Sequence, residues 1–169
     1  MTAEERRKKI ESYGRAPELL DEALKPFPPA MWQFKTAPDR WSIHEIIVHL
    51  ADSEANSYVR ARRLIAEPGQ PVMAYDQDVW AQKLNYHAQS TKEVLELFRW
   101  LRKTTYQLIR ALPESAWSNS AVHPEYGTYT FERWLDIYER HTAGLIAQIQ
   151  KNYEAWKAEQ GTQAASPRP

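Results

Sequence analysis

The sequence predicts an all-α fold, a four-helix bundle. Apolar residues recur at steps of three and four in several long stretches, which is the stripe of a packed helix. Two capping boxes open such stretches. Glycine is scarce, five in 169 residues, and no convincing strand pattern interrupts the helical ones.

Ala3 to Ser12 has helical composition with a weak apolar stripe, and Gly14 and Pro17 break it. Pro17 suits the first turn of a second piece, Pro17 to Leu24, with Leu20 and Leu24 on one face. The KPFPP run then stops the helix. Lys25 to Arg40 reads as a proline-punctuated loop, with Trp32 and Phe34 expected to tuck inward.

Ser42 with Glu45 is a capping box for a helix from Ile43 to about Ala66, and Ile43, Ile47 and Leu50 mark its stripe. Glu67 to Gln89 is long for a plain connection, with room for a short helix near Asp78 to Leu84. Ordered loops of this length are often functional. Ser90 with Glu93 opens the next helix, striped by Val94, Phe98, Leu101, Thr105, Leu108 and Leu112 and ended by Pro113. After the loop SAWSNSAVHPEYGTYT, a last helix near Thr130 to Lys157 carries Phe131, Trp134, Tyr138, His141, Leu145 and Ile149 at the same spacing. One bundle domain over residues 1–158 and a disordered tail over 159–169 are expected.

Composition narrows the function. Twenty-two Lys and Arg balance twenty-two Asp and Glu, without the basic excess of a dedicated nucleic-acid binder. Cysteine is absent, which excludes disulfides, thiol nucleophiles and thiolate zinc sites. No run approaches the ~20 apolar residues of a membrane span, and MTAEERRKK lacks the apolar core of a signal peptide. A cytoplasmic protein that binds neither nucleic acid nor membrane is the expectation. No Gly-rich phosphate loop and no G-x-S-x-G elbow is present.

Of the five histidines, two fall on inward faces of long helices. His49 sits beside Ile46 and Leu50, and His141 lies on the last apolar stripe. Bundles build metal sites from side chains on facing helices. The competing reading of each is a core histidine with one hydrogen bond. At about 100° per residue, His49, Asn56 and Arg60 align, flanked by Ser53 and Arg63. That edge is either a polar pocket wall, with Arg60 or Arg63 meeting an anion, or a solvated edge whose arginine stems cover apolar neighbours. Asp52, three residues after His49, either orients it or is an exposed helix charge. Asp76 and Asp78 are helix-cap candidates or oxygen donors.

Four segments in order resemble the DinB/YfiT-like superfamily: RWSIHEIIVHLADSE from Arg40, YDQDVW from Tyr75, HPEYG from His123 and ERHTAGLIAQI from Glu139. The resemblance spans about residues 15 to 155. It implies a four-helix bundle, often dimeric, with a divalent metal such as zinc, nickel or manganese on three histidines. One comes from the second long helix, and two, spaced H-x-x-x-H, come from the last. Some members resemble S-transferases that activate a low-molecular-weight thiol at the metal. By position His49 and His141 match two ligands, and the third position is Leu145, which cannot ligate. His44 lies about 140° around the helix from His49. His87, His123 or Asp76 remain as loop donors.

Three readings follow. The chain is a metal-dependent protein related to thiol S-transferases with a degenerate ligand set, a metal-free small-molecule-binding protein on the same scaffold, or an interaction protein acting as a homodimer.

Overall fold

The computed structural model describes residues 1–165. Helices α1 (Ala3–Gly14) and α2 (Ala16–Leu24) follow each other with only Arg15 between them and together make the first long rod. Thr2 and Glu5 form a capping box at its start, and Pro17 sits in the first turn of α2. After a 3-10 turn at Pro29–Met31 comes α3 (Ile43–Ala66), opened by the expected Ser42–Glu45 box. The long connection contains α4 (Gln77–Lys83) and a 3-10 turn at Tyr86–Ala88. Helix α5 (Thr91–Ile109) starts on Ser90, whose hydroxyl accepts from the Glu93 N–H.

The loop before the last helix is more ordered than its sequence suggests. Strands β1 (Ser120–His123) and β2 (Gly127–Thr130) form an antiparallel hairpin there. Gly127, at φ +67°, supplies the turn conformation that other residues resist. Residues 69–72 add backbone bonds to the other edge of β1 through Gly69, Gln70 and Val72. Strands of four residues are too short to show a clear alternation, which explains why the pattern reads as loop.

Helix α6 (Phe131–Ala165) also runs further than expected. Residues 159–165, assigned to a disordered tail by composition, continue the helix. Gly161 weakens a helix by about 1 kcal/mol without breaking it, and the first proline after it is Pro167. Residues 166–169 lie outside the described part.

Contacts fix the path of the bundle. Arg6 meets Glu132 and Lys9 meets Asp136, so α1 and α6 run parallel. Trp134 reaches Ser57 and Asn152 reaches Trp41, so α3 and α6 run antiparallel. His44 meets the Gln89 carbonyl and Glu54 meets Arg102, so α3 and α5 run parallel. Two parallel neighbours need a long return, and residues 67–90 provide it.

The core has two apolar layers. One gathers Tyr13, Leu64, Trp117, Phe131 and Trp134, and the other Leu20, Met31, Ile43, Ile46, Phe98 and Ile149. Met31 is fully buried, whereas Trp32 and Phe34 are only half-buried. Between the layers lies a polar belt of Glu54, Ser57, Arg102, Thr105 and Thr142. Arg102 turns α5 from its expected register. The buried face is Phe98, Arg102, Thr105 and Ile109, leaving Leu101 and Leu108 half-buried. Among the described residues, no helix is long and apolar enough to cross a membrane.

Candidate functional site

His49 from α3 and His141 from α6 meet beside the polar belt, ring centres 5.4 Å apart and nearly perpendicular. The antiparallel packing of α3 on α6 brings them together. Trp41, just before the α3 cap, lies 4.6 Å from the His49 ring and closes it from one side. Neither Nδ1 atom has a hydrogen-bond partner among the described residues. Burial drives both pKa values down, His49 to about 3 with His141 adding to the effect, and His141 to about 4 with Arg102 adding. Both rings are therefore neutral at physiological pH.

Two cavities of about 410 Å3 each share His49, Gln77 and His141 in their walls. One continues past Ser53, Arg60, Tyr75 and Tyr138 to His123, Glu125 and Tyr126 on the hairpin. The other opens toward Asp39, Arg40, Trp41 and Asp78, with Leu145 in its lining. Tyr75 packs on Trp80 at 4.4 Å. Burial raises the Tyr138 pKa well above the usual phenol value and that of Tyr129 to about 12. Both stay protonated.

The structure separates the sequence candidates. Arg60 lines the cavity, with its guanidinium bonded to the Met73 carbonyl and the Tyr138 hydroxyl. Arg63 does not reach it. That side chain is committed to the Pro71 carbonyl and to Glu67 at 3.2 Å. Asp52 does not orient His49. It accepts from the Tyr86 hydroxyl at 2.6 Å, because a three-residue step carries it to the neighbouring face. Burial raises its pKa. Asp76 is the α4 cap, accepting from the Asp78 and Val79 N–H groups through one carboxylate oxygen.

Asn56 turns back to the Asp52 carbonyl. His44 and His87 belong to a separate network with Gln33 and Glu45. His123 does join the cavity wall, buried and stacked on Tyr126 at 4.4 Å. Its Nδ1 accepts from the Glu125 N–H. Sequence reasoning gave no role to Tyr75, Gln77 or Tyr138. Tyr138 was detectable as the stripe position one turn before His141.

The third ligand position expected from the resemblance is Leu145, a buried hydrocarbon. Two imidazoles on one tetrahedral ion at about 2.0–2.1 Å would place ring centres roughly 5 Å apart. The 5.4 Å spacing suits two such legs. Among the described residues, no group of three or more His, Cys, Asp or Glu side chains is placed to hold a metal. Metal-bound histidines also usually anchor their second nitrogen on a partner, and these Nδ1 atoms have none. The residues fit two positions of a three-histidine centre and not the third.

Comparison with known proteins bears on the family and the fold. A family model described as the DinB superfamily matches residues 12–149. A relative from Oceanobacillus iheyensis, provisionally named a metal-dependent hydrolase, is 30% identical over 109 residues, covering 64% of this chain and 63% of its own. YfiT of Bacillus subtilis, provisionally named in the same way, is 24% identical over 150 residues, 88% of this chain and 84% of its own. The solved YfiT structure, described as an unusual four-helix bundle, superposes with a TM-score of 0.85 at 23% identity, covering 93% of this chain and 90% of its own. With its sequence matched across most of its length and its bundle shared with YfiT, the chain belongs to the DinB superfamily.

Proposed function

We propose that this chain is a small-molecule-binding member of the superfamily whose metal centre is reduced to a two-histidine half-site without a resident ion. The observation that carries this reading is Leu145 in the third ligand position, with no third His, Cys, Asp or Glu grouped with His49 and His141 among the described residues. What remains is a cavity of about 410 Å3 walled by neutral imidazoles and phenols. That volume is at the small end of the ~300–1,000 Å3 range of ligand sites. His49 and His141 give that wall neutral imidazole edges. The test is a thermal-shift screen of small organic molecules with chelator throughout. Stabilisation that survives chelation and is lost in Tyr138→Phe or His141→Leu supports the reading. Stabilisation that requires added metal for every hit contradicts it.

A second reading is favoured by the ring spacing of His49 and His141 and by the provisional names of the relatives as metal-dependent hydrolases. The two histidines hold zinc, nickel or manganese only together with a donor from the ligand, such as the sulfur of a low-molecular-weight thiol. Binding would lower the pKa of that thiol, the chemistry of an S-transferase relative. This reading predicts metal uptake that depends on added thiol. Hydrolysis at the same half-site instead predicts activity with metal alone.

A further inference from the structure

The proposed pocket leaves open what kind of molecule it takes, and Arg60 bears on that. Its guanidinium is fixed before any ligand arrives. Nε and Nη2 donate to the Met73 carbonyl, Nη1 donates to the Tyr138 hydroxyl at 3.0 Å, and the group lies 5.9 Å from the Tyr129 ring centre. All of these partners are neutral. Among the described residues Arg60 makes no ion pair, whereas Arg63, Arg99 and Arg102 each have a carboxylate. A half-buried positive charge thus faces the cavity without a compensating anion.

The surroundings add donors. The Tyr138 oxygen accepts from Arg60, which leaves its own O–H free to donate. Each neutral imidazole further in carries one N–H. Two carboxylates are near. Asp52 is held by Tyr86, and Glu125 is exposed at the hairpin rim, where water screens it.

Resting on the pocket reading above, we propose that Arg60 is the anchor for the carboxylate of a small organic acid, whose uncharged part extends toward His49 and His141. A single guanidinium matches a monoanion; its Nε edge is spent on the Met73 carbonyl, so a carboxylate would meet the one N–H still free on each of Nη1 and Nη2. Immobilising the guanidinium in advance reduces the entropy lost on binding.

The probes are benzoate and benzamide, of nearly equal shape and differing in charge, titrated by amide chemical-shift perturbation at constant ionic strength. Benzoate is expected to bind at least about tenfold more tightly, the scale of one charge-assisted pair. Arg60→Gln should erase that preference, and Arg60→Lys should keep part of it. Arg63→Gln, outside the cavity, should change neither. Equal binding of the two probes to the wild type overturns the anchor and leaves the pocket standing, with no dependence on how the variants fold. Binding of neither at millimolar concentration, with no shifts at Tyr75, Tyr138 or His123, overturns the pocket and the anchor together.

Discussion

Arg102 and His141 approach the same turn of α6, yet the protein treats them in opposite ways. Arg102 is fully buried, and its two Nη groups are answered while its Nε is not. It pairs with Glu54 at 2.6 Å, donates to the Tyr138 carbonyl and the Thr142 hydroxyl, and lies 3.9 Å from the Tyr13 ring centre. Tyr13 in turn donates to Glu54. That cluster ties α1, α3, α5 and α6 together. His141 and His49, on the neighbouring side of the same belt, have unpartnered Nδ1 atoms and line cavities. Unpartnered buried atoms occur in both regions, Arg102 Nε and Ser57 Oγ in the belt and the two Nδ1 atoms beside it, but only the histidines line a cavity. Functional sites often keep such locally unfavourable features.

Substitutions should separate the two regions. Arg102→Met removes one member of a buried pair and strands Glu54. The loss should be about 3–5 kcal/mol in urea denaturation, with little recovery on adding ligand.

Acid is the next largest perturbation, and it acts through the histidines. Above pH 6.5, the ordinary histidine value, both rings are neutral folded or unfolded. As pH falls below it, the unfolded chain takes up protons that the folded chain refuses until about pH 4 for His141 and about 3 for His49. Stability therefore falls across that window, by on the order of a few kcal/mol. The double variant His49→Leu/His141→Leu should flatten that part of the pH–stability curve. A wild-type curve with no slope there would show that the rings are not held neutral.

The smallest effect makes the sharpest contrast. His49→Leu replaces an unpartnered buried imidazole with hydrocarbon, so stability should stay level or rise by about 1 kcal/mol while ligand binding is lost. A loss as large as that of Arg102→Met would mean that His49 serves the fold in the way Arg102 does.

How much of this was legible in the sequence depended on how local its causes are. Ser42 with Glu45 and Ser90 ahead of Glu93 announced α3 and α5, because a cap is decided within four residues. His49 and His141 were found because an inward histidine breaks an apolar stripe. Arg102 was invisible, since an arginine in α5 reads as surface until Glu54 is brought opposite it. The same limit hid the division between Arg60 and Arg63. Both lie on one edge of α3, and only the path of residues 67–73 decides which faces the cavity. Position along the helix leaves Asp52 either orienting His49 or exposed as a helix charge, and Tyr86, thirty-four residues away, claims it instead. The hairpin at Ser120–Thr130 escaped notice because four-residue strands carry too little pattern.

Leu145 in the third ligand position should leave the chain without a resident metal while the pocket persists. The most direct test is the metal content of untagged protein, by inductively coupled plasma mass spectrometry. Wild type and Leu145→His would each be incubated with zinc, nickel or manganese and desalted. Well under one ion per chain is expected in the wild type and close to one in Leu145→His. One tightly held ion per wild-type chain, lost in His141→Ala, would contradict that expectation.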